Sequence, residues 1–277
     1  MIHESFPLGE GIFANATLTT YIHDNPKDCA CSPRPAMLVL PGGGYAYCSN
    51  REAEPIALAY MQAGMNAYIL RYSVEEKAKF PQPLLEASRA MKIIRDRAAL
   101  DNTDPDRVFV IGFSAGGHLA SSLATCWHRA EIQAAAGCTG EENKPSGAIL
   151  SYAVISGGAH RHQGSFCRLS GIANPTEQEL LPYSNEKNVD EHTPPCFLWH
   201  TADDASVPVQ NSLLMASALT EHKIPYELHI FPHGVHGLSL CNEQTSLGSP
   251  NLINEAAAEW LPLSITWLRG LFGKENA

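Results

Sequence analysis

A chain of 277 residues with 44% hydrophobic and 17% charged residues has the composition of an ordinary globular protein, and this length accommodates one large α/β domain with a sizeable core. Its formal charge of −10 argues against nucleic-acid binding and against attraction to an anionic membrane surface. No apolar run approaches the roughly 18 residues of a membrane span, and the opening MIHESFPLGEGIF carries neither a basic nor an apolar leader segment.

Eight cysteines are scattered at positions 29, 31, 48, 126, 138, 167, 196 and 241. Cys29 and Cys31 lie too close for an easy mutual disulfide, and no paired C-x-x-C spacing suggests zinc. Cys126 and Cys196 read as small buried hydrophobes. The expectation is a reducing, cytoplasmic protein with free thiols that acts on a small molecule. A homodimer is compatible with the sequence without being required by it.

Strand-like and helix-like segments alternate with no repeat, charge block or linker between them. That predicts one domain over 1–277, built on a mostly parallel sheet covered on both faces. Residues 16–23 (ATLTTYIH) read as an early antiparallel strand, and 36–40 (AMLVL) as a fully apolar strand running into Pro41-Gly42-Gly43-Gly44. A helix over 52–63 stops at Gly64, and 66–72 is the next strand. From 83 to 100 the apolar residues Leu84, Met91, Ile94 and Ala98 share one helical face. Further strands are predicted at 108–111, 148–155, 197–201 and 226–231, with a helix over about 209–222. Trp260, Leu263, Trp267 and Leu271 recur at helical spacing, with Pro262 suited to a first turn, and read as core packing. Residues 157–194 break the alternation. They are rich in Gly, His, Asn and Pro, with one helical pattern near 175–181, and such an excursion is expected to be a lid or substrate-shaping insertion.

The most informative stretch is 108–124, VFVIGFSAGGHLASSLA. A β-branched and aromatic strand runs into Gly112-Phe113-Ser114-Ala115-Gly116 and then into a small-residue helix. A serine in such a turn takes a strained backbone, and glycines two positions either side let the flanking backbones approach. The turn lifts Ser114 off the sheet at a helix N-terminus, where the free N–H of Ala115 can face a developing oxyanion.

An activated serine needs a base, and the base an orienting acid, on loops after later strands. After residues 196–200 come Asp203 and Asp204. Asp204 is preferred, because an acid shortly before Val207-Pro208 closes the loop back on the next helix, leaving Asp203 to fix the loop or face solvent. After residues 226–231 come His233 and His236, of which His236, followed by Gly237, has the reach to Ser114. The glycines of 42–44 leave no side chains to obstruct a substrate carbonyl, so Gly43 and Gly44 join Ala115 as candidate oxyanion donors. Tyr45 and Tyr47, beyond the glycines, are candidates to line the substrate pocket, or equally to form a partly buried rim. His118 reads as a packing or hydrogen-bonding residue. His160 and His162, without carboxylate or thiol partners, make a weak metal site, and the chemistry calls for neither metal nor organic cofactor.

Together PGGGY (41–45), GFSAGGHLA (112–120), HTADDASVPVQNS (200–212) and HGVHGLSL (233–240) resemble the α/β-hydrolase superfamily, over about residues 16–272. Within it the chain looks like the small esterases related to acetyl xylan esterases and the lipase/esterase group with an HGGG-type loop. Pro41 stands where the hormone-sensitive-lipase type carries histidine, which points toward the sugar-ester relatives. The resemblance implies a mostly parallel eight-stranded sheet flanked by helices with a short lid-like insertion. It also implies Ser114 as nucleophile, Asp204 as orienting acid and His236 as general base. The expected activity is hydrolysis of short acyl esters through an acyl-enzyme, with acetyl esters of sugars or oligosaccharides implied by the resemblance alone. An arylformamidase using the same triad is the chemical rival, separable by turnover of formyl-kynurenine against aryl acetates. A non-catalytic binding protein on the same fold would fail to label with a fluorophosphonate. A lipase is disfavoured because no large apolar lid is evident, and a prolyl-oligopeptidase-type peptidase by the absence of room for a gating domain.

Overall fold

A computed structural model describes residues 1–25 and 32–272; Cys29 and Cys31 lie outside the described residues. The strands are β1 (Ser5–Pro7), β2 (Thr17–Tyr21), β3 (Arg34–Leu40), β4 (Asn66–Arg71), β5 (Thr103–Phe113), β6 (Ala148–Ser151), β7 (Cys196–Thr201) and β8 (Tyr226–Phe231). They form one eight-stranded sheet in the order β1-β2-β4-β3-β5-β6-β7-β8. The pairs β1–β2 and β2–β4 are antiparallel and the rest are parallel.

The apolar strands have a simple cause: each alternates between two cores. Leu38, Val110, Leu150 and Leu198 point into one, packed with residues of the helices Gln82–Asp96, Ala115–Cys126 and Gln210–Glu221. Val39, Ile111, Ile149 and Trp199 point into the other, with residues of Glu54–Gln62 and Trp260–Phe272. A strand buried on both faces carries no polar alternation. Trp260 stacks on Trp199 at 5.1 Å between centroids, so it is core, as its spacing predicts. The six described cysteines are all free thiols. Among the described residues no helix is long and apolar enough to cross a membrane.

Several boundaries differ from those the sequence suggests. Strand β1 and the helix Ala130–Ala136 lack a legible period and are additions. The helix predicted over 83–100 is two, Gln82–Asp96 and Ala98–Asp101. Strand β6 ends at Ser151 rather than 155, because Tyr152 turns to φ 35° and leaves the sheet.

The chain's small residues are placed by close approach. Every residue of the helix Ala115–Cys126 is buried, and its Ala, Gly and Ser positions let it lie close to the sheet. A methyl group on Gly116 would stand 2.1 Å from the Leu40 carbonyl oxygen, and one on Gly112 would stand 2.1 Å from that of Gly116. Gly116→Ala therefore sets a helix-propensity gain of about 1 kcal/mol against a backbone clash. The clash wins, and a net loss of roughly 3 kcal/mol is expected by denaturant titration. A variant as stable as the parent would refute the contact.

Residues 157–194 form a fastened cap. Their helix Gln163–Ser170 and the short Glu177–Leu180 contribute Phe166 and Leu180 to a small core with Val154 and Val207. Buried Asn185 donates to the His118 carbonyl (3.0 Å) and to the hydroxyls of Ser121 (2.7 Å) and Ser122 (3.0 Å). His118 Nε2 lies 2.8 Å from the Tyr183 carbonyl oxygen, and its Nδ1 lies 2.9 Å from the Tyr45 hydroxyl. Burial drives the His118 pKa down to about 4. The ring is thus neutral, donating from Nε2 to Tyr183 and accepting at Nδ1 from Tyr45.

Candidate active site

At the end of β5 the chain turns through Ser114 at φ 53°, ψ −117°, a conformation non-glycine residues avoid. Backbone hydrogen bonds hold it there. Its N–H donates to Ser151 (3.0 Å), and its carbonyl accepts from His118 and Val154 (3.0 Å each). Ser114 is thereby presented with its Oγ 2.8 Å from His236 Nε2.

His236 follows β8, and its Nδ1 lies 2.7 Å from Asp204 Oδ2. A ring nitrogen against a carboxylate carries the proton, so Nε2 is left to accept from Ser114. Asp204, in the loop after β7, is 6% exposed. Its Oδ1 accepts from the Ser206 and Val207 N–H groups at 2.9 Å each. Burial alone would raise its pKa. Hydrogen bonds from His200 and His236, with the His236 charge behind them, outweigh burial and hold the carboxyl well below its ordinary 3.8. A depressed carboxyl stabilises the fold above the unfolded value and ceases to do so as pH falls through the folded one. Asp204 accordingly stays ionised through the whole neutral range.

The other two candidates pair with each other. His233 Nδ1 lies 3.1 Å from Asp203 Oδ2, with side chains 84% and 52% exposed. Asp203 Oδ1 also accepts from the Gly234 N–H at 2.7 Å, so this pair shapes the loop at the surface.

The glycine loop runs against the serine: a methyl on Gly42 would lie 3.0 Å from Ser114 Cβ. The Gly42 N–H is committed to Glu52 Oε2 at 2.9 Å. The N–H groups of Gly43 and Gly44 donate to no acceptor among the described residues. Ala115 opens its helix and has no intrahelical acceptor for its own N–H. Gly43 adopts φ +128°, and a methyl there would stand 2.0 Å from the Tyr47 carbonyl oxygen, so the loop's path needs glycine at that position.

Ser114, His236, Gly43 and Gly44 line one cavity of about 420 Å³, together with Tyr47, Arg51, Glu52, His162, Arg168 and Ser206. Its walls contain no Leu, Ile, Val or Phe among the described residues. Tyr47 lies in this wall, 62% exposed. Tyr45 does not: it is 1% exposed, its ring packed against Tyr72 and its hydroxyl on His118. The expectation that Tyr45 lines the pocket is corrected. At φ 59° its side chain turns into the core beneath the glycines, while Tyr47 faces out.

Four residues of this site escape the sequence reading. Buried Glu52 accepts from the Gly42 N–H and, on Oε1, from the Tyr152 hydroxyl at 2.6 Å. The Tyr152 ring meets His236 edge-on at 5.1 Å, and its oxygen accepts from the Ser239 N–H at 3.0 Å. Burial, and behind it the Glu52 charge, pushes the Tyr152 phenol up, so it remains a donor. Glu52 thus ties the glycine loop to the packing of the histidine. His200 is fully buried beneath Asp204, its Nδ1 2.8 Å from Ser212 Oγ and its Nε2 2.9 Å from the Val207 carbonyl and 3.4 Å from Asp204 Oδ2. Two acceptors on Nε2 place the proton there, donated toward the acid and its loop. His162, weighed only as a metal ligand with His160, lines the cavity instead. No group of three or more His, Cys, Asp or Glu among the described residues is arranged to hold a metal ion.

Residues 24–157 match the BD-FAE family, and residues 162–247 match the prolyl oligopeptidase family. Among curated proteins, the chain is 42% identical over 236 residues to the endo-1,4-β-xylanase B of Butyrivibrio fibrisolvens, an alignment covering 82% of this chain and 35% of that protein. The chain thus spans about a third of that relative's length. Among solved structures it resembles MGS-M1, an α/β-hydrolase enzyme from a Medee basin deep-sea metagenome library, at 36% identity and TM-score 0.79 over 98% of both chains. It also resembles the acetyl ester-xyloside bifunctional hydrolase of Caldicellulosiruptor lactoaceticus, at 36% identity and TM-score 0.80 over 97% of this chain and 96% of that one. The sheet order, the strained serine and these full-length similarities define a hydrolase scaffold. The chain belongs to the α/β-hydrolase family.

Proposed function

We propose that the chain is a serine carboxylesterase for short acyl groups, with acetyl esters of sugars or oligosaccharides as its substrates. The observation that carries this reading is the continuous hydrogen-bonded line from Ser114 Oγ through His236 to Asp204, opening on a small polar cavity. In the first half-reaction Ser114 Oγ attacks the ester carbonyl carbon while its proton passes to His236 Nε2. Asp204 holds Nδ1–H in place and stabilises the imidazolium. The tetrahedral oxyanion faces the N–H groups of Gly43, Gly44 and Ala115, each donor of this kind being worth about 10²- to 10³-fold in rate. The C–O bond then breaks, and the alcohol leaves with the proton from Nε2. Water, deprotonated by the same nitrogen, attacks the acyl-Ser114 carbonyl, and Oγ regains its proton as the acid departs.

The polar cavity wall supports a short acyl group, since a long chain would lie against Arg, His and Ser side chains without burying its methylenes, each worth about 0.8 kcal/mol. The similarity to an acetyl ester-xyloside bifunctional hydrolase supports the sugar. In a series of aryl esters from acetyl to octanoyl, kcat/KM is expected to be at least about a hundredfold higher for acetyl. Acetylated xylo-oligosaccharides are expected to lose acetate. Preference for octanoyl would overturn the acyl assignment, and failure to label with a fluorophosphonate would overturn the serine mechanism.

A further inference from the structure

The first helix of the cap, Gln163–Ser170, starts from a histidine. His162 Nδ1 accepts from the Ser165 N–H at 3.3 Å and lies 2.8 Å from the Ser165 hydroxyl. A ring nitrogen that accepts has no proton of its own, so the neutral imidazole carries its hydrogen on Nε2. Burial, then the charges of His236 and Arg168, lower the His162 pKa and favour that neutral form. The ring lines the cavity with Ser114 and His236, and its Nε2–H has no acceptor among the described residues. On the same wall Tyr47 offers an exposed ring face.

We infer that His162 is a specificity residue whose Nε2–H donates to an oxygen on the alcohol side of the substrate, selecting an ester of a polyhydroxylated alcohol. The inference rests on the acetyl-ester reading above. An acetyl group brings one acceptor, its carbonyl oxygen, and that oxygen is served by Gly43, Gly44 and Ala115. The bridging ester oxygen is met by the proton that His236 returns to the leaving alcohol, so the remaining acceptors a substrate can offer this donor are hydroxyl and ring oxygens of the alcohol. A simple phenol or alkanol leaves the donor unanswered, and unpaired polar groups are the strongest basis for discriminating close analogues.

The test uses the whole protein with monoacetylated methyl xyloside, its monodeoxy analogues and phenyl acetate. His162→Ser keeps an oxygen able to cap the helix and deletes the ring donor. The ratio of kcat/KM for the xyloside over that for the aryl acetate is expected to fall about tenfold in this variant. One monodeoxy analogue should cost the parent about tenfold and the variant nothing, a coupling that loss of a cap alone does not produce. An unchanged ratio, or equal losses on both substrates, overturns the inference. Should the variant not fold, a parent indifferent to every single deoxygenation overturns it equally. A parent that hydrolyses aryl acetates and no acetylated xyloside overturns the acetyl-sugar reading itself, a different result.

Discussion

Replacing Ser114 by alanine is expected to lower kcat on an aryl acetate by roughly a million-fold while leaving the fold in place. Alanine takes the φ 53°, ψ −117° backbone no worse than serine does, and the hydrogen bonds to Ser151, His118 and Val154 are all main-chain. Only the Oγ contact to His236 is lost, a neutral hydrogen bond worth about 1 kcal/mol. Large loss of turnover with a small change in thermal midpoint separates a nucleophile from a structural serine. Single-turnover kinetics and a melting curve on the same preparation measure both. Activity within a hundredfold of the parent would mean that another group attacks the substrate.

The paired substitutions Asp204→Asn and Asp203→Asn should diverge by about 10⁴ in kcat. Asparagine at 204 can still accept from Ser206 and Val207 with its oxygen. Its amide then turns toward His236 Nδ1, which must accept rather than donate. The ring proton is displaced to Nε2, where it opposes the Ser114 hydroxyl. Geometry survives, and the tautomer is wrong. At 203 the same change touches an exposed carboxylate bonded to His233 and the Gly234 N–H, and kcat is expected to hold within a few-fold. If the two variants change places, Asp203 is the acid and the loop after β7 rearranges on substrate binding.

How far the sequence carries the argument depends on whether a residue's neighbours along the chain are also its neighbours in space. Ser114 is legible because strand, glycines and small-residue helix are contiguous and each has a local physical reason. The central strands β3, β4, β6, β7 and the end of β5 are legible because burial on two faces makes them largely apolar. Asp204 and His236 are legible only in outline. Each has a competitor one or three residues away, and the distinction lies in which pair closes across the loops. Glu52 reads as the acidic start of a helix, yet its partners Gly42 and Tyr152 come from either side in sequence and 100 residues apart in the second case. His200 and Tyr152 end or follow apolar strands and look like filler. Only the convergence of β6, β7 and the glycine loop gives them a task. Tyr45 misleads because the chain reverses between it and Tyr47, and a left-handed residue is not marked in the sequence unless it is glycine or asparagine.

The attachment of the cap bears on how substrate enters. Asn185 and Tyr183 are bonded to His118 and Ser121 of the helix that follows Ser114, so the cap cannot swing away from that helix without unmaking buried polar contacts. Under the proposed function, entry is expected by diffusion into a standing opening. Turnover of a dispersed ester should rise smoothly with concentration, with no jump at its solubility limit, because an oil–water boundary finds no hinged flap to prise open.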